Sequence, residues 1–293
     1  MAAIRHYSIM NFSAPNFIAK AFSQPRYLPI ILAIPIILLF GFLWLTDTWA
    51  FPKGEIIYHH LVPTNWVFLG AVVAVIPWFG LAIGLWRFWK NMSQFEISPA
   101  LTEGSSAATA CLVTRTKKLA TSLILALVEI VWHGNFRKCV VNKIRNLAHL
   151  GLVIGAILYF ISMTGSVIYT FIERKWPIPL WDPVVIFGMV GTLLIFAGCT
   201  LVIFRRLSKP EEAGRATYFD WFFIWLVFVT TAGSIAMILT RIAGMVPWAY
   251  SLFLFHLVLS FILVAYFPYS KFAHLTYRTL AIIYAKQIGR GVE

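Results

Sequence analysis

Residues 251–274 read SLFLFHLVLSFILVAYFPYSKFAH. The stretch from Pro247 to Phe267 is apolar enough to cross a bilayer, and it carries His256 inside it and His274 just beyond. Apolar runs of about 20 residues mark membrane-spanning helices. Read as one helix continuing past Pro268, the two histidines are five whole turns apart. Both imidazoles then share one face, separated by about 27 Å along the axis. That is close to the roughly 30 Å of a bilayer's apolar core. One helix would thus present a nitrogen ligand near each side of the membrane, an arrangement suited to haem iron, which takes axial imidazoles.

The rest of the chain agrees with a membrane setting. Of its 293 residues 60% are hydrophobic and 12% charged, against roughly a quarter charged in soluble domains. Six spans are expected, at about Leu28–Leu45, Trp66–Trp86, Leu147–Phe171, Pro183–Phe204, Phe219–Leu239 and Pro247–Phe267. The expected class is therefore all-α, a polytopic transmembrane helical bundle. Its division is residues 1–118, with two spans and a polar loop, and residues 119–293, with spans three to six as a four-helix haem-binding core. Leu119–His133 is too short to span comfortably and carries Ser122, Ala126, Glu129 and His133 as a narrow stripe, which reads as a helix at the interface or tucked against the bundle.

The net charge of +13 does not indicate nucleic acid, because the charge sits in loops between spans. With the N-terminus inside, twenty of the 24 Lys and Arg residues fall on the inner side, leaving Lys53, Arg174, Lys175 and Arg241 outside. That bias predicts a multi-pass protein of the cytoplasmic (inner) membrane with both termini cytoplasmic. Trp44, Trp49, Trp66, Trp176, Trp181 and Trp248 fall at outer span ends, where an aromatic belt belongs. Cys111, Cys139 and Cys199 are scattered, so this chain alone does not supply the four thiolates of an iron–sulfur cluster.

In this topology His149 opens the third span and His274 closes the sixth, at similar depth near the inner face. Two facing imidazoles would hold one six-coordinate haem b, with Arg145 and Arg278 placed to pair with its propionates. The alternative is that both are interfacial side chains. His256 lies at the outer level; a second haem, a quinone contact, or a hydrogen-bonded histidine within the bundle are all open there. His59 and His60 lie in an outer loop that could fold over it. Arg241 reads either as a partner for a haem propionate or quinone carbonyl or as a cation snorkelling to headgroups.

Phe255–Leu259 with Phe267–His274, and Leu147–Gly151, resemble the ligand spans of the respiratory nitrate reductase gamma subunit. In that family a second histidine follows ten residues after the first; Tyr159 stands there in this chain. His133–Cys139, Arg145–His149 and Pro268–Arg278 more closely resemble the haem-bearing membrane subunit of the quinone-interacting membrane-bound oxidoreductase complex, with relatives among heterodisulfide reductase membrane subunits. That resemblance covers most of residues 119–285. It implies a haem b subunit exchanging electrons between menaquinone and cytoplasmic flavin and iron–sulfur subunits, linked to adenylylsulfate reductase in sulfur metabolism. It also makes His133 a ligand or docking residue. Outside that resemblance, a histidine-lined transporter and a haem-free membrane anchor are the competing classes.

Overall fold

The computed structural model describes residues 9–48, 50–94, 143–173, 178–208, 217–270 and 272–287. Among them the chain is helical, with no strand. Six stretches are long and apolar enough to cross a membrane: Pro25–Thr46, Thr64–Gln94, Asn146–Ile172, Pro183–Ser208, Tyr218–Ile242 and Val246–Ala285. The all-α polytopic bundle expected from hydropathy is thus the observed class, and the chain is a multi-pass membrane protein.

The helices are α1 (Asn16–Phe22), α2 (Leu28–Thr46), α3 (Thr64–Val75), α4 (Pro77–Gln94), α5 (Lys143–Ile168), α6 (Pro183–Ser208), α7 (Tyr218–Ile242), α8 (Val246–Tyr266) and α9 (Ala273–Gln287). The starts of α6 and α7 follow ordinary capping chemistry. Asp182 accepts a hydrogen bond from the Val184 N–H at 2.9 Å, and Thr217 with Asp220 forms a capping box at the start of α7. Such side chains satisfy backbone donors that a helix leaves open at its first turn.

Two spans expected to be continuous are interrupted. The second breaks between α3 and α4, at Ile76–Pro77. The sixth ends at Tyr266, passes through a 3₁₀ turn at Phe267–Tyr269, and restarts as α9 at Ala273. Proline has no N–H to donate, and its ring clashes with the carbonyl four residues back. In the sixth span Ser270 consolidates the turn: its N–H and its hydroxyl both donate to the Phe267 carbonyl, and its Oγ accepts from the Phe272 N–H. The five-turn phase relation between His256 and His274 therefore fails, because the two residues stand on separate helices.

The described residues fall into two compact units. One draws on Met1–Ala21, Pro77–Val141 and Phe267–Glu293, the other on Phe22–Ile76 and Asn142–Tyr266. In the first, α4 and α9 run parallel, since contacts advance along both together. Trp78 stacks on Phe267 at 4.6 Å, Phe88 meets Tyr277 edge-on at 5.4 Å, and the Tyr284 hydroxyl donates to the Met92 carbonyl at 3.0 Å. The N-terminal segment wedges in beside them: a Cβ on Gly80 would collide with the Ala14 carbonyl, which accepts a 2.8 Å hydrogen bond from Tyr269.

In the second unit α5 packs on α6, α6 on α7, α7 on α8, and α8 on α2 and α3. Phe68 of α3 touches Phe171, just past α5, at 4.9 Å, so the sequence of neighbours closes on itself. The α5–α6 seam is built of glycines. A Cβ on Gly155 would lie 2.7 Å from the Gly191 carbonyl, one on Gly191 2.8 Å from the Gly155 carbonyl, and one on Gly198 2.9 Å from the Ala148 carbonyl. Small residues let helix backbones approach in lipid, where apolar surface alone gives little drive to associate.

Candidate functional site

His256 lies on α8 and meets hydroxyls at both ring nitrogens. Ser234 of α7 is 3.1 Å from Nδ1, and Ser260, one turn along α8, is 3.1 Å from Nε2. The Ser234 hydroxyl can donate to the Thr230 carbonyl at 3.0 Å. If the serine donates there, its oxygen accepts from an Nδ1–H. With that serine as donor, Nδ1 carries the proton and the Nε2 lone pair faces the Ser260 hydroxyl. A group that can donate to, or coordinate, that lone pair competes with Ser260 for it.

The depth of this site follows from its neighbours. The backbone N–H of Tyr159 lies beside Gly191. Phe196 stacks on Phe228 at 4.9 Å, and five residues back along α6 is the same rise, about 7.5 Å, as five forward along the adjacent α7. Gly191 therefore stands near Gly233 and Ser234, and a Cβ on Gly233 would reach Phe255 at 3.8 Å. Tyr159 of α5 and His256 of α8 share a level. A phenol rather than a second imidazole stands at that level on α5.

His149 lies in the second unit, half-buried on α5. It is off the stripe of Ala148, Leu152, Gly155 and Ser162 that meets α6. His274 lies in the first unit, the second residue of α9, between buried Ala273 and Tyr277. Each has an arginine four residues away on its own helix: Arg145 precedes His149, and exposed Arg278 follows His274. Residues four apart share a helix face. Of Arg145 the position on α5 is described but not the side chain, and His133, Cys111 and Cys139 lie outside the described residues. Among the described residues no three His, Cys, Asp or Glu side chains gather as a metal site.

Beyond His256, α8 begins in an aromatic cluster that the sequence did not reveal. Fully buried Tyr250 accepts from the Ile57 N–H at 3.2 Å and donates to the Ile57 carbonyl at 3.3 Å, pinning the loop before α3. Tyr58 stacks on Phe253 at 4.6 Å, donates to the Met237 carbonyl at 3.3 Å, and lies 6.0 Å beneath the Arg241 guanidinium. Burial pushes the Tyr58 phenol up to about 12, with Arg241 pulling the other way, so it remains a hydrogen-bond donor at neutral pH. His59 and His60 follow on the same 3₁₀ turn with ring centres 4.7 Å apart. Burial, and secondarily His60, lowers the His59 pKa from its ordinary 6.5.

Signals for some of this were present. Ser260 stands at the i+4 position from His256, and Gly151, Gly155, Gly188, Gly191 and Gly198 mark close helix contact. Ser234 and Tyr58 carry no local signal, because their partners are far away in sequence.

Searches of curated proteins and of solved structures return no match. A family model described as CitB, Citrate utilization protein B, matches residues 25–291. That match takes in every described span, and the chain belongs to the CitB family.

Proposed function

We propose that this chain is a haem b-binding membrane subunit that passes electrons between a quinone pool and cytoplasmic flavin and iron–sulfur subunits. The observation that carries the reading is the repeated pairing of a histidine with an arginine one turn away, on α5 and on α9 of a six-span protein. His149 and His274 are the proposed axial pair. Imidazole is a common haem donor, and His149 is half-buried on a side of α5 that the glycine seam leaves open. Arg145 and Arg278 would neutralise propionates, since a planar guanidinium matches a carboxylate in shape and charge. Bound haem supplies one-electron redox chemistry; the helices supply donors, low dielectric and exclusion of water.

His256 is proposed as a quinone contact rather than an iron ligand. Its level offers Tyr159 in place of a second imidazole, and a quinol hydroxyl can replace the Ser260 hydroxyl at Nε2 with no change in the ring's other bonds. Menaquinone and the flavin and iron–sulfur partners come from the resemblance to the membrane subunit of the quinone-interacting oxidoreductase. So does the link to adenylylsulfate reductase and sulfur metabolism. The family's name refers to citrate utilization instead. The positive-inside count supports an inner-membrane protein with both termini cytoplasmic, which puts Glu55, Trp181 and Arg241 outside.

A reduced-minus-oxidised optical spectrum of the purified chain tests the reading. A b-type alpha band is expected, and His149→Ala and His274→Ala should each abolish the same band while His256→Phe leaves it. No band in the parent chain ends the proposal and favours a haem-free anchor or a transporter. Loss of different bands in the two alanine variants ends the pairing.

A further inference from the structure

At the end of the second unit where the loops before α3, before α6 and between α7 and α8 converge lies a cavity of about 510 Å³. Its walls are mostly apolar, with Ile56, Ile178, Leu180 and Val246, and among the described residues its charged lining is Arg241 and Glu55. We propose that it binds the headgroup of a zwitterionic, amine-bearing phospholipid, of the phosphatidylethanolamine type. Arg241 takes the phosphate, Glu55 takes the ammonium, and the apolar wall takes the glycerol and first methylenes.

Position comes first. The cavity lies at span ends, and its rim carries large exposed apolar side chains. Trp181 is 79% and Trp248 62% exposed, with Ile242 and Met245 beside them. Tryptophans at span ends sit at headgroup depth in a bilayer, so an amphiphile can enter sideways from the leaflet. The volume lies within the 300–1,000 Å³ or so of ordinary ligand pockets.

Charge selects the class. Arg241 is held from below by the Tyr58 ring, itself fixed by Phe253 and the Met237 carbonyl. Among the described residues no carboxylate lies within ion-pair distance of its guanidinium, whose fork of donors suits phosphate oxygens. Among the described lining residues the carboxylate of Glu55 balances the charge of Arg241. An anionic lipid such as phosphatidylglycerol would satisfy Arg241 but set its hydroxylated headgroup against an unpaired carboxylate. A choline headgroup carries the positive charge but has no N–H to donate. A primary ammonium supplies both charge and donors. Gly54 and Gly244, at φ +98° and +67°, turn the lining backbone with nothing within 4 Å of where a Cβ would stand, so the mouth stays open.

The test is native mass spectrometry of the full purified chain in detergent with an equimolar mixture of phosphatidylethanolamine, phosphatidylcholine and phosphatidylglycerol. The expected result is an ethanolamine adduct favoured at least about tenfold over glycerol, a difference of about 1.4 kcal/mol. Arg241→Gln should abolish the preference, Arg241→Lys should keep part of it, and Glu55→Gln should invert it toward phosphatidylglycerol. If Arg241→Gln does not fold, Glu55→Gln carries the test by itself. An unchanged lipid ratio in Glu55→Gln overturns the proposal. So does equal binding of phosphoethanolamine lacking acyl chains, which would make the cavity a site for a free phosphate compound. The readout is lipid mass, so it stands whether or not the chain holds haem.

Discussion

The α5–α6 seam and the α7–α8 seam solve the same problem in opposite ways. Between α5 and α6, side chains are removed: glycines bring backbone to backbone, and carbonyl oxygens occupy the space a Cβ would need. Between α7 and α8, polar side chains are kept: Ser234 and His256 bridge the helices, and Thr230 and Thr231 return their hydroxyls to the carbonyls four residues back. The first seam is held by shape, backbone against backbone. The second holds an imidazole with a hydroxyl at each ring nitrogen. A helix pair fixed by shape can position a chemical group; a helix pair joined by hydrogen bonds can provide one.

The sharpest way to break that contrast is to add bulk to both seams. Gly191→Leu puts a branched side chain against the Gly155 carbonyl and the Tyr159 N–H, both 2.8 Å from its Cβ. Backbone cannot yield as a side-chain tip can, so a loss of about 3 kcal/mol or more is expected, read as loss of monodisperse protein in detergent. Gly233→Ala adds a methyl 3.8 Å from Phe255, an ordinary contact. It should fall within about 0.5 kcal/mol of the parent in a thermal melt. Equal tolerance of the two would show that the glycine seam does not hold α5 to α6.

The next effect is smaller and belongs to the polar seam. Hydrogen bonds between membrane helices are worth about 0.6 kcal/mol on average and up to about 1.7. Ser234→Ala should therefore lower stability by about 1 kcal/mol. Ser260→Ala should cost less, because its hydroxyl joins two residues of one helix. In a double-mutant cycle with His256→Phe, Ser234→Ala should lose its effect, since its partner is gone. Full additivity would mean the 3.1 Å contact contributes nothing.

The spans were legible because lipid imposes a simple rule on composition, and the observed ends of α2, α6 and α7 lie within a few residues of the hydropathy boundaries. Pro77 was equally visible, yet an apolar run on both sides hid the break it makes. Pro268 is just as plain in the sequence, but how far it disrupts the helix depends on Ser270 closing the turn. The candidate site was legible only in its residue types. His149, His256 and His274 stand out in any apolar sequence. What engages His256 depends on Ser234, 22 residues away, and what supports Arg241 depends on Tyr58, from the loop before α3. Those pairings are products of packing order, which hydropathy does not encode.

The smallest expected effect concerns the loop that α8 pins through Tyr250, and it extends the comparison to titratable histidines. His256 is enclosed by hydroxyls, whereas His59 is held against a second imidazole. Burial, then His60, keeps the folded His59 pKa below 6.5, so between that lowered value and 6.5 the unfolded chain binds more protons than the folded one. Stability must then rise with pH across this window and be lowest beneath it. His59→Gln removes the titrating group. It should flatten the difference between melts at about pH 5.5 and about pH 8, a shift of no more than about 3 °C, because a partly exposed residue contributes well under about 1 kcal/mol in a chain of this size. A steeper pH dependence in the variant than in the parent would mean that the loop is stabilised by the charged imidazole rather than the neutral one. The His59–His60 contact would then have to open on folding into the membrane.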